Sequence, residues 1–179
     1  MSTPPPEFSR IVRLDEIGDR PRTITLEADA EERAALARRF GLIALDSLSG
    51  EAAVARVAGG VHATGTLSAH AVQPCVATAE PVPARIDEPF DLRFIEEGDL
   101  AAEEEIELSE ADCDVIGYSG ASIDLGEALA QTLALALPPF PRSPNADAAL
   151  RDAGVLSEEE AGPFGALAGL KDALKPKPD

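Results

Sequence analysis

Two cysteines, two histidines and a dense run of carboxylates are the residues of this chain whose types could do covalent, metal or proton chemistry. His62 and His70 lie eight apart in an alternating stretch and would share one face of an uninterrupted strand. With Cys75 and Cys113 they could be drawn as a zinc site, but the spacing matches no common ligand pattern. Cys75 with either histidine could be drawn as a nucleophile and its base. Neither an oxyanion hole nor an orienting third group is identifiable, so the sequence predicts buried structural thiols instead. Carboxylates do proton chemistry when an apolar pocket shifts their pKa, and nothing in the acidic run predicts such a pocket. The glycine-rich GGVHATG lacks the Lys-Ser/Thr of a phosphate loop, and no GxGxxG follows a strand. The expectation is a protein that is not an enzyme and holds no metal or other cofactor.

Charge narrows the partners. The 179 residues carry 33 acidic against 15 basic side chains, a formal −18 that repels phosphate and attracts basic protein surfaces. Thirteen of the acids lie between Asp87 and Asp114 with Arg93 as the one cation. That segment reads either as a solvated loop with a charged edge strand or as a docking surface for a basic partner. On the second reading Glu103, Glu104 and Glu105, with Phe140 and Arg142 further on, are the partner-binding candidates. There is no Trp, one Tyr and 4% aromatic content, so platforms for stacking bases are scarce. Arg10, Arg13, Arg20 and Arg22 either balance neighbouring acids, the favoured reading, or touch phosphate locally, so direct RNA binding is expected to be weak or local at most. The start MSTPPPEFSR is unlike a signal peptide, and no run approaches the roughly 18 apolar residues of a membrane span. A cytoplasmic protein with reduced thiols and no membrane contact is expected.

The elements that must position these residues are legible in part. RTITLEA (22–28) alternates as a strand does. Asp29 followed by Glu32, with Gly41 beyond, marks a helix over about 30–40, with Arg33, Arg38 and Arg39 facing water. Gly59-Gly60 between two alternating runs marks a hairpin; strands are expected at about 52–58, 61–76 and 84–94, with a bulge or a close backbone approach at Gly65. IDLGEALAQTLALALPPFPRSP then reads as the main helix. Asp124 is its N-cap, Glu127 can close a capping box, and Leu125, Leu129, Leu133 and Leu137 form a stripe whose burial would contribute about 6–12 kcal/mol before entropy. Pro138 and Pro139 stop it. The predicted fold class is α+β, an antiparallel β meander or barrel-like sheet with a few packed helices, the main one at about 124–137. One domain over 1–145 is expected, followed by a tail, 146–179, with a short amphipathic helix at about 163–174 that either packs on the domain or awaits a partner's groove.

In order along the chain, PEFSRIVRLDEIG, DAEERAALARRFGL, the hairpin ending QPCVATAEPV, EPFDLRF, and IDLGEALAQTLALALPPFPRSPNA resemble the YceD family, in its alphaproteobacterial-type branch. The resemblance covers nearly the whole chain and implies a role in accumulation or processing of large-subunit ribosomal RNA, with no known enzymatic reaction. Cys75 matches the first cysteine of the family's C-x-R-C-L pattern, while Ala77 and Thr78 stand where its arginine and second cysteine would be. Later cysteines of some branches fall where this chain reads PPFPRSPNA. Asp124, Leu125, Glu127 and the Leu133 to Leu137 run match the family's helix, and Pro139, Pro141 and Arg142 match its exit; Gln131 and Thr132 stand where acids are expected.

Together the charge and the resemblance predict a non-enzymatic adaptor in large-subunit biogenesis, holding a basic ribosomal protein or an rRNA-processing factor. The alternative is a general acidic protein-interaction module whose effect on rRNA is indirect. A hydrolase using Cys75 is a third reading.

Overall fold

The alternating runs around Gly59-Gly60 form a hairpin, but its two-residue turn is Ala58-Gly59, with Gly59 at φ 80°; Gly60 already opens β4 opposite Val57 and is glycine because a Cβ there would run into the Phe94 backbone. In the computed structural model, which describes residues 6–100 and 114–155, strands and helices follow in this order: β1 (Ile11–Arg13), β2 (Arg22–Glu27), α1 (Ala30–Arg39), β3 (Ala44–Val57), β4 (Gly60–Pro74), β5 (Pro81–Glu96), α2 (Glu97–Leu100), β6 (Asp114–Tyr118), β7 (Ser122–Asp124), α3 (Leu125–Ala136) and α4 (Ala146–Asp152). Contacts divide the chain into two units, Met1–Gln73 with Pro83–Pro139, and Pro74–Val82 with Phe140–Asp179. The expected helix at 163–174 lies outside the described residues. No helix among those described is long and apolar enough to cross a membrane.

The first unit has mixed α+β architecture. Its main sheet has the order β2-β3-β4-β5-β6, and β1 pairs separately with β7, antiparallel. The barrel-like closure does not form. Closure would require β2 to meet β6, and among the described residues both remain edges of an open sheet. The meander also ends differently from expectation, since β6 runs parallel to β5, with Phe94 beside Ile116. β3 begins at Ala44, eight residues before its predicted start. The register shifts between Leu45 and Ser47, so Leu45 and Leu48, three apart, both reach the core, and a period-two search misses them.

Packing follows the leucine stripe. Leu125, Leu129 and Leu133 of α3 are buried with Ala128 and Ala130, whereas Leu135 is 79% exposed. The Leu129 methyls lie 3.0 Å from where a Cβ on Gly50 would stand, so this glycine lets α3 settle on β3. Gly65 is the close approach its position suggested: a Cβ there would meet the Glu51 carbonyl oxygen at 1.9 Å and the Phe90 ring at 2.7 Å. α3 ends because Leu137, ahead of Pro138, has turned to an extended ψ of 135°.

Candidate functional site

The sequence motif IDLGE and the segment EFSR, far apart in the chain, build one polar junction in the first unit. The Asp124 carboxylate caps α3, accepting from the amides of Gly126 (3.0 Å) and Glu127 (3.1 Å). The same carboxylate accepts from the Arg10 amide at 2.8 Å and the Ser9 hydroxyl at 2.6 Å. Gly126 must be glycine, since a Cβ would stand 2.8 Å from both the Arg10 nitrogen and the Phe8 oxygen. The Arg10 guanidinium forks onto Glu32 at 2.6 and 2.9 Å, and Glu32 in turn closes the capping box of α1 by accepting from the Asp29 amide. That fork holds the Glu32 carboxyl below the usual range. Glu127, expected to return a bond to its own cap, is instead gripped by Arg39 at 2.7 and 2.8 Å, which also takes Glu7 at 3.0 Å. Arg39 thus depresses the Glu127 pKa. The sequence reading placed Arg39 facing water; it joins α1 to α3.

A second arrangement surrounds Cys75 in the second unit. The loop closes on itself through Cys75 N–H to the Glu80 carbonyl (2.8 Å) and Ala79 N–H to the Cys75 carbonyl (2.9 Å), with Ala79 at φ 59°. Cys75 is buried, and its sulfur accepts from the Ser143 amide at 3.2 Å and the Ala77 amide at 3.4 Å. The thiol pKa is pulled down to about 6, first by the Thr78 hydroxyl, against the opposing effect of burial, and then by Ser143 and Ala77. Thr78 stands at the second cysteine's position in the resemblance, and a hydroxyl there serves the sulfur. Thr78 also lies 3.2 Å from the Ser143 hydroxyl, while Asn145 donates to Glu80 at 3.1 Å. This cradle can stabilise a thiolate. Its unit contains no histidine to act as a base. His62 belongs to the first unit, on the solvent face of β4, with Nε2 2.6 Å from Asp91, and His70 lies on the same face. Among the described residues no group of three His, Cys, Asp or Glu side chains could hold a metal.

Of the partner-binding candidates, Phe140 and Arg142 are among the described residues. Glu103, Glu104 and Glu105 lie outside the described residues, as does Cys113. Of the acidic segment, Asp87, Glu88, Asp91, Glu96, Glu97 and Asp114 are described, and all are exposed. Phe140 is 78% exposed, and Arg142 pairs with Asp147 at 2.7 Å. Leu125 and Leu133 are core residues, and Pro139 lies just beyond α3. The roles of Ser9 and Arg10 at Asp124, and of Thr78 and Ser143 around Cys75, escaped the sequence reading, which named Arg10 only as a local phosphate contact and Thr78 only as standing at a cysteine's place in the resemblance. The one signal that could have found the first pair is that Asp124 has more acceptor capacity than its own helix can use.

No curated protein and no solved structure matches the chain. The family model described as large ribosomal RNA subunit accumulation protein YceD matches residues 63–171. That span runs from β4, through the Cys75 loop and the capped α3, into the residues beyond α4, more than half of the chain, and the chain belongs to the YceD family.

Proposed function

We propose that this protein promotes accumulation of large-subunit ribosomal RNA as a non-enzymatic adaptor, holding a basic ribosomal protein or processing factor rather than gripping the RNA itself. The observation that carries the role in rRNA is the family match over residues 63–171. Charge supports a protein partner. A molecule at −18 repels a phosphate backbone, and the exposed Glu88, Glu96, Glu97 and Asp114 are given no cationic partner among the described residues.

Depleting the protein in its host, with large- and small-subunit rRNA quantified and precursor ends mapped, tests the role: a selective fall in the large rRNA is expected, and an unchanged ratio would overturn it. Reversing Glu103, Glu104 and Glu105 to lysine tests the acidic docking. Recovery of a basic assembly partner should drop and lose its salt dependence; undiminished recovery at 150 mM salt counts against that segment.

A further inference from the structure

The parallel strand β6 closes one side of the main sheet, and among the described residues no strand pairs with its outer edge. Beside that edge the layer between the sheet and α3 opens into a groove of about 260 Å³. Its walls are Phe94 and Ile116 on neighbouring strands, Tyr118 further along β6, Ala128 and Gln131 on α3, and the β1–β7 pair, whose Ile11 is 60% exposed. A free strand edge offers a row of amides and carbonyls. Side chains of an added strand alternate between two faces, so every second one would point toward α3, into this groove. Backbone pairing and an apolar pocket therefore lie where one extended peptide could use both.

Charge selects the occupant. Of the groove's two charged lining residues, Asp124 caps α3 and Glu127 is paired with Arg39, so among the described residues the unpaired charge here is that of the exposed Asp114, Glu96 and Glu97 near the ends of the β5–β6 pair. A second copy of this chain would bring another −18 to the same edge, which disfavours self-pairing. We propose that β6 is a docking edge for an extended, basic segment of a partner protein, which adds a strand and sets alternate aliphatic side chains into the groove between β6 and α3. This rests on the reading of the protein as an adaptor for a basic partner and names the mode of binding.

The test uses the full chain at 300 mM salt and three synthetic nine-residue probes of equal charge, with lysine alternating with isoleucine, serine or proline. The isoleucine probe should bind at least tenfold tighter than the other two and shift the backbone amide resonances of residues 114–118. Ile11→Thr, which keeps a β-branched residue opposite Asp124, and Gln131→Lys should each weaken it about tenfold while leaving the melting temperature unchanged. Equal affinity for all three probes, shifts confined to other strands, or indifference to both substitutions would overturn the edge-pairing proposal. Those failures would leave the adaptor reading standing if charge reversal at Glu103 to Glu105 still abolished partner recovery; loss of both effects would remove the adaptor as well.

Discussion

At the scale of single residues, Cys75 shows how donors can override burial. The sequence treats it as a buried structural thiol, and buried it is, but hydrogen bonding from three residues, Thr78 first and then Ser143 and Ala77, favours the thiolate enough to bring its pKa to about 6. A depressed pKa in the folded state stabilises the fold above the ordinary thiol value of 9.0, and that contribution fades as pH falls toward about 6. In a Cys113→Ser background, thiolate absorbance near 240 nm should titrate with a midpoint near 6, and Thr78→Val should move the midpoint upward by removing the leading donor. A midpoint unmoved by Thr78→Val would refute the assignment. None of this was legible beforehand, because Ser143 lies 68 residues from Cys75 and only the folded chain brings its amide to the sulfur.

At the scale of elements, local rules served well where the partner was local. The Asp29–Glu32 box, the Asp124 cap, the proline stop of α3 and, one residue displaced, the hairpin turn at Gly59 were each readable within a few residues. They failed where a side chain had a better partner elsewhere, as Glu127 does in Arg39, or where a bulge broke the period, as at Leu45. Gly126 separates the two kinds of argument. Helix propensity alone predicts that Gly126→Ala gains about 1 kcal/mol. The clash with the Phe8 and Arg10 backbone predicts a loss of about 1–3 kcal/mol in urea unfolding instead. The carboxylates joining α1 and α3 add a pH dependence. Arg10 and Arg39 depress Glu32 and Glu127, so their contribution is whole above the ordinary 4.5 and is lost as pH falls through the lower folded-state values. Arg39→Met should flatten that acid limb; an unchanged limb would show that the pair contributes nothing.

At the scale of the whole molecule, the α+β class was legible from the succession of patterns, while the open edge, the parallel β6 and the separate β1–β7 pair were not, since each depends on pairings between distant segments. The core can be tested by contrast on one helix. Leu133→Asp places a carboxylate at a fully buried site and should cost at least about 4 kcal/mol, whereas Leu135→Asp, at an exposed site, should stay within about 0.5 kcal/mol. Equal melting temperatures for the two variants would contradict the packing of α3. The junction of Ser9 and Arg10 with Asp124 spans up to 115 residues of sequence, and it dictates an order of assembly during synthesis. Ser9 and Arg10 are synthesised well before Asp124, so this junction is among the last to form. The Ser9 hydroxyl and the Arg10 amide wait for Asp124, while the Arg10 guanidinium has Glu32 as a partner much earlier, so a nascent chain arrested before residue 124 holds Arg10 by its side chain alone.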